Sequence, residues 1–224
     1  GQNPKRVLEP ADLPWHSPLD PVDSIIGCCW SPDGTKVAVI ARYGGGAGGL
    51  DVYVCNANGT GIFKAHSDTP EGGLSVSGAV KVTWHFDPPY RRNELDTQRL
   101  LFTSPYVSDR RYFAFFLDPP RRDDEIYFDN REIYDINAGP NGDVAWVEGG
   151  DLRVGNFDEV NGLTAGTVVA PGISAPAGPA WSPDGERLVF SGDPGGGTRL
   201  YRVEPGGVNL VPLTDGGTAL EASW

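Results

Sequence analysis

A chain of 224 residues with 31 glycines, 20 prolines and few helix signals has the size of one domain and the composition of a turn-rich, all-β protein. Its formal net charge of −12 argues against nucleic acid as a ligand, because nucleic-acid phosphates attract basic surfaces. No apolar run approaches the roughly 20 residues that a membrane-spanning helix needs, so the sequence predicts no transmembrane segment.

The N-terminal part, residues 1–25, is rich in proline. Residues 5–10 share an apolar pattern ending in proline with residues 209–212, near the other end of the chain. We interpret residues 1–25 as the outer strand of a preceding repeat unit followed by an extended connector.

The rest of the chain is organised around Trp-Ser-Pro-Asp-Gly at residues 30–34, which returns at residues 181–185. A weaker copy, Ala-Gly-Pro-Asn-Gly, occupies residues 138–142, and two further tryptophans continue the series, so that equivalent positions lie 54, 54, 43 and 43 residues apart. A period of about 40–50 residues is typical of a β-propeller with one blade per repeat. The residues that define the motif are Trp30, Pro32, Asp33, Gly34, Trp84, Trp181, Pro183, Asp184, Gly185 and Trp224.

The order of signals within one repeat predicts four antiparallel strands. Ser-Pro-Asp-Gly predicts a type I turn, in which proline fixes φ and glycine takes the left-handed exit. β-Branched and aromatic residues follow at 36–40, then a glycine-rich hairpin at 44–49 and another strand at 51–54. A second turn at 56–59 leads to the outer strand, and the tryptophan ends the innermost strand.

This order resembles the TolB-like propeller repeat, best at residues 26–66 and 177–215. Residues 133–172 keep the turn but have Ala138 in place of tryptophan, and residues 80–130 keep the tryptophan but not the turn. We predict an all-β propeller over residues 26–224, with four-stranded blades near 24–66, 78–130, 132–171 and 176–215 and a final inner strand at 219–224.

Such a chain opens on an outer strand and closes on an inner one, which would leave unpaired strand edges. We therefore favour a partial propeller, either a fragment of a six- to eight-bladed ring or a chain that additional polypeptide completes. The alternative is a closed five-bladed form with one defective blade.

The second predicted blade is distinguished by arginine doublets and many aromatic residues. In a four-stranded meander the first and third connections share one face, so two of the doublets should lie together there. The candidate residues for docking a partner are Tyr90, Arg91, Arg92, Arg121 and Arg122. The alternative is that these arginines pair with the acidic residues near them in sequence.

The sequence predicts no catalytic residues and no cofactor. A Gly-x-Ser-x-Gly motif is absent, and the three histidines lie in different repeats without metal spacing. Residues 56–59 and 158–162 vaguely resemble calcium loops but lack the bidentate glutamate, so turns are predicted, and a bound cation such as calcium has no identifiable ligands. Adjacent Cys28 and Cys29 point to opposite faces of a strand, so the three thiols are free or one of the two pairs with Cys55.

Three functions are weighed from the sequence, and the third is a small-molecule or glycan binder that uses the propeller face, which no sequence feature favours. The first is a non-catalytic scaffold, periplasmic or extracellular, that binds protein partners. The second is the substrate-gating propeller of a larger enzyme, such as a prolyl oligopeptidase-like peptidase, whose catalytic part is absent from this chain. The location follows from the resemblance and from the absence of methionine, which predicts a processed product or a piece of a longer chain.

Overall fold

The structure is a computed structural model, and it describes residues 6–14, 21–31, 33–44, 49–68, 82–86, 98–105, 110–116, 126–128, 131, 133–158, 162–217 and 222. The regular elements of these residues are strands, which turns and irregular segments connect, and one 3-10 turn at Pro10–Asp12. The strands are β1 (Val22–Trp30), β2 (Lys36–Tyr43), β3 (Leu50–Asn56), β4 (Phe63–Asp68), β5 (Val82–Phe86), β6 (Gln98–Pro105), β7 (Arg110–Phe116), β8 (Ile126–Phe128), β9 (Ile133–Ala138), β10 (Asp143–Glu148), β11 (Asp151–Asp158), β12 (Gly162–Leu163), β13 (Thr167–Val168), β14 (Ser174–Trp181), β15 (Leu188–Asp193), β16 (Arg199–Val203) and β17 (Val211–Pro212).

The strands group into four antiparallel sheets, in each of which consecutive strands pair. Blade one contains β1–β4, blade two β5–β8, blade three β9–β13 and blade four β14–β17. In blade three, β13 also pairs with β11, so that this sheet has a fifth short strand. The first strands of successive blades contact one another in order, β1 with β5, β5 with β9 and β9 with β14. The predicted all-β architecture of four-stranded antiparallel blades is confirmed.

The serine of the repeat closes the turn between the first two strands of blade one. The Ser31 backbone N–H donates to the Lys36 carbonyl at 3.0 Å, and the Ser31 hydroxyl accepts the Lys36 N–H at 2.9 Å. Asp33 accepts from that hydroxyl and from the Thr35 N–H, and Gly34 has a φ of 68°. The sequence thus encodes this turn locally, through groups no more than five residues apart.

The turn of blade four repeats these bonds, and the turn of blade three keeps the backbone bond but has no serine side chain. Ser182 makes the same two bonds with Arg187, and its hydroxyl donates to Asp184. In the weaker copy the serine position is Gly139, whose N–H donates to the Asp143 carbonyl at 2.7 Å. The backbone bond that closes the turn therefore survives the loss of the serine side chain.

Apolar side chains pack on both faces of the sheets. Blade one turns the even-numbered residues of β2 and β3 toward blade two, and the odd-numbered residues of these two strands form a core on the opposite face. Trp146 lies wholly buried on one face of blade three, whereas Leu152 lies on the other face, in the core shared with blade four. Within the described residues, the helical content is too short for any helix to cross a membrane.

Residues 6–14, which we call the strap, differ from the prediction for this region. No strand forms there, because Pro10 and Pro14 lack the N–H groups that a ladder uses and because Glu9 and Asp12 cap the 3-10 turn. The Glu9 N–H donates to an Asp12 carboxylate oxygen at 2.8 Å. The strap packs on the odd-numbered face of blade one, where Leu13 is 2% exposed. Most of the predicted final strand, 219–224, lies outside the described residues.

Candidate functional site

The tryptophan of blade two joins that blade to blade one. Trp84 is 3% exposed and lies in one core with residues of blade one, including Ile40 and Val52. Its indole Nε1 donates to the Cys29 carbonyl at 3.3 Å, and its backbone N–H hydrogen-bonds the Cys29 sulfur. Cys29 directly precedes Trp30, the equivalent position of the preceding blade.

The tryptophan of blade four makes the corresponding contacts with blade three. Trp181 is 7% exposed, its Nε1 donates to the Asn137 carbonyl at 3.0 Å, and its backbone N–H donates to Asn137 Oδ1 at 3.3 Å. The indole lies over Gly139, where a Cβ would stand 2.8 Å from the ring. The nearby Gly178 N–H donates to Asp135 of blade three at 2.9 Å.

The junction between blades two and three keeps one of these bonds without a tryptophan. The Ala138 N–H donates to Thr83 Oγ1 at 2.9 Å, and Thr83 directly precedes Trp84. Trp30, Trp84, Ala138 and Trp181 are equivalent in the four blades, and we call their place in the blade the repeat position. At all three described junctions, the residue before this position therefore accepts a hydrogen bond on its side chain. We call Cys29, Thr83 and Asn137 the acceptor positions.

Blade one presents the same tryptophan without a described blade beside it. Trp30 is 55% exposed, and Cys28 on the same strand is also exposed. Both residues pair with the odd-numbered residues of β2, Val37 and Val39, so alternation places them on the strap-bearing face. The strap covers the part of this face formed by β2 and β3, and leaves the part formed by the end of β1 exposed. We call this exposed part, Cys28 and Trp30, the open flank.

A charged cluster with a buried carboxylate lies at the end of the strap. Asp51 is fully buried, 2.8 Å from Lys64 Nζ and 2.9 Å from the Tyr53 hydroxyl. That hydroxyl also lies 2.7 Å from the Pro14 carbonyl, so its single proton serves one of two acceptors. Burial, together with Asp51, raises the pKa of Tyr53. The charges of Asp51 and Lys64 compensate each other, which gives this cluster a structural role.

A second charged cluster ties together the strands of blade three. Arg131 makes two hydrogen bonds to the Glu148 carboxylate and one to the Leu163 carbonyl at 2.7 Å. The guanidinium also lies 5.4 Å from the centroid of the Trp146 ring, and the Trp146 indole donates to Glu148 at 3.0 Å. Hydrogen bonding to Arg131 lowers the pKa of Glu148. Sequence reasoning missed this cluster, because its members are spread over three elements.

The structure leaves the three cysteine thiols free, with Cys28 exposed, Cys29 partly buried and Cys55 buried. Burial raises the pKa of Cys29, so its thiol remains protonated and suits a hydrogen-bonding role. Residues 56–59 form the predicted turn, closed by the bond from the Asn56 N–H to the Thr60 carbonyl at 2.9 Å. In the described ranges, no group of three His, Cys, Asp or Glu side chains is placed to hold a metal ion.

The predicted docking residues lie outside the part of the chain that the structure describes, so their grouping on one face stays a prediction. Two motif residues also lie outside it. These residues are Tyr90, Arg91, Arg92, Arg121 and Arg122 of the docking set, and Pro32 and Trp224 of the motif. The open flank was not predicted as a site.

Comparison with known proteins identifies the architecture. No family model and no curated protein matches the sequence. Among solved structures, the chain is similar to the putative TolB of Agrobacterium tumefaciens, with a TM-score of 0.58, 14% identity, and coverage of 84% of this chain and 64% of that one. It is also similar to TolB of Acinetobacter baumannii, with a TM-score of 0.62, 18% identity, and coverage of 90% of this chain and 45% of that one.

A chain in a nidogen–laminin complex is similar as well, with a TM-score of 0.57, 12% identity, and coverage of 88% of this chain and 66% of that one. These likenesses show the fold, a TolB-like β-propeller, and confirm the resemblance drawn from the repeat. The chain spans less than two thirds of the length of either TolB structure.

Proposed function

We propose that this chain is a non-catalytic module that binds protein partners or assembles with them outside the cytoplasm. The observation that carries the proposal is the exposure of Trp30, 55%, against 3% and 7% for the equivalent Trp84 and Trp181. Burying one large apolar side chain contributes about 1.5–3 kcal/mol, and tryptophan is enriched among the residues that dominate binding energy at interfaces. The open flank is therefore the surface that gains most from a partner.

The chemistry of the flank favours a protein over a small ligand. An exposed indole N–H and an apolar ring beside a strand suit a partner that offers a backbone carbonyl and an apolar face. The location outside the cytoplasm is supported by the likeness in fold to TolB propellers. A propeller that gates a larger enzyme remains the alternative prediction, and the arginine doublets remain a second predicted contact surface.

A pull-down with the full chain as bait tests this proposal. We expect Trp30→Glu to reduce retention of the partner about tenfold or more, because interface hot spots contribute at least about 2 kcal/mol. Leu213→Glu is the matched control, since Leu213 is a similarly exposed apolar residue, 50% exposed, on blade four. Equal retention by wild type and Trp30→Glu, or equal losses in the two variants, contradicts the proposal. Alanine at Arg91, Arg92, Arg121 and Arg122 together tests the arginine surface in the same assay.

A further inference from the structure

We infer that the open flank selects its partner: it accepts a further propeller blade whose inner strand carries a hydrogen-bond-accepting side chain directly before the repeat position. The inference rests on the proposed function and specifies the chemistry of the partner.

The three described junctions supply the pattern. The accepting side chains are a thiol, a hydroxyl and an amide, in Cys29, Thr83 and Asn137. These groups differ in size, shape and polarity, and share the ability to accept a hydrogen bond from a backbone N–H. Where the next blade has a tryptophan, the carbonyl of the same acceptor residue also receives the indole N–H. At those two junctions, one residue thus receives two donors from the next blade.

At the open flank, Trp30 carries both of these donors, its backbone N–H and its indole Nε1–H. The Ser31 N–H bonds across to β2, at the Lys36 carbonyl. Because hydrogen-bonded and non-bonded pairs alternate along an antiparallel ladder, the neighbouring Trp30 N–H points away from β2. Its indole Nε1 likewise makes no hydrogen bond within the described part of the chain. A partner that buried Trp30 without accepting its backbone N–H would leave a donor unsatisfied, at a cost of about 1–3 kcal/mol.

The shape of the flank favours a blade as the occupant. The exposed part of the face is the end of the inner strand, and blades two and four use this part to pack on the preceding blade. The strap already covers the part formed by β2 and β3. A second copy of this chain is the poorer occupant, since its three acceptor positions are already bonded to Trp84, Ala138 and Trp181.

Thiol alkylation tests the inference on the full chain, because Cys28 is an exposed reporter on the flank itself. The probe is a synthetic peptide of residues 133–148, the β9–β10 sequence that presents Asn137 to Trp181. The control is the same peptide with Asn137→Leu. We expect the Asn peptide to slow alkylation of Cys28 by a maleimide, and the Leu peptide to need about tenfold higher concentration for the same protection. Cys28→Ser should abolish the fast labelling.

Equal protection by the two peptides, or protection by neither, overturns the inference. If Trp30→Glu still loses the partner in the pull-down while neither peptide protects, the proposed function stands and the rule for the partner fails. Faster alkylation after Ser223→Ala would show that residues 219–224 of the same chain fill the flank. Slower alkylation of the peptide-free chain at higher concentration would show a second copy there. Either result overturns the further blade as the occupant.

Discussion

Trp84 and Trp30 hold equivalent positions in two blades, but the indole N–H of Trp84 donates to a carbonyl of the neighbouring blade while Trp30 is 55% exposed. Phenylalanine keeps most of the apolar ring and removes the indole N–H. Trp84→Phe should therefore lower the free energy of unfolding by about 1–2 kcal/mol, the value of a hydrogen bond and some packing. Trp30→Phe should change it by less than about 0.5 kcal/mol. Urea unfolding followed by circular dichroism measures both, and equal losses would contradict the role given to the junction.

Gly139 shows how closely the tryptophan of the next blade approaches the turn. A Cβ there would lie 2.8 Å from Cδ2 of Trp181, a ring that its two hydrogen bonds to Asn137 hold in place. Gly139→Ala should destabilise the chain by about 1–3 kcal/mol, as overpacking of a core does. Gly196→Ala is the control, because nothing lies within 4 Å of a Cβ at Gly196. Thermal unfolding should separate the two variants, and similar melting temperatures would argue against this approach.

Blade three depends as an element on the cluster around Glu148. The side chains of Glu148 and Arg131 are 22% and 26% exposed, so their bonds are partly shielded from water. Arg131→Ala should lower the free energy of unfolding by about 1–2 kcal/mol near pH 7. Arg6→Ala removes a pair of similar length, 2.6 Å, that is 69% and 41% exposed, and should have almost no effect.

The same cluster makes the stability of blade three depend on pH. Hydrogen bonding to Arg131 lowers the pKa of folded Glu148 below its ordinary value of 4.5. The cluster therefore contributes fully above that value, and its contribution is lost as the pH falls through the folded pKa. The difference in stability between wild type and Arg131→Ala should shrink from pH 7 to pH 3. An unchanged difference in urea midpoint over this range would show that Glu148 does not titrate with the pair.

The elements predicted well from the sequence are those encoded by near neighbours. The turns at Asp33 and Asp184 involve groups two to five residues apart, so their pattern is visible in the sequence itself. The acceptor positions were not predicted, because their partners lie 44 or 55 residues away and meet only when the blades pack. A threonine before a tryptophan carries no local sign that its hydroxyl will accept an N–H from the next blade.

At the scale of the whole molecule, blade one differs from blades two and four in what covers its tryptophan-bearing face. In blades two and four this face packs against another sheet, whereas in blade one the strap takes part of that place. The Val7 carbonyl lies so close to Gly59 that a Cβ at Gly59 would be 2.4 Å from the Val7 carbonyl oxygen. The strap was misread from the sequence because an apolar segment with prolines fits an outer strand and a capping 3-10 turn equally well.

The strap provides a final test of how blade one is covered. Leu13 is 2% exposed and lies in one core with Cys55, which is 1% exposed. Leu13→Asp places a charge in that core, so the strap should detach and alkylation of Cys55 should become about tenfold faster or more. Ala11→Asp, at an exposed position of the same strap, should leave Cys55 slow. Cys28 should label rapidly in all of these proteins. Slow labelling of Cys55 in Leu13→Asp would mean that blade one shields this face without the strap. In that case, the open flank would be the only part of the face that a partner could cover.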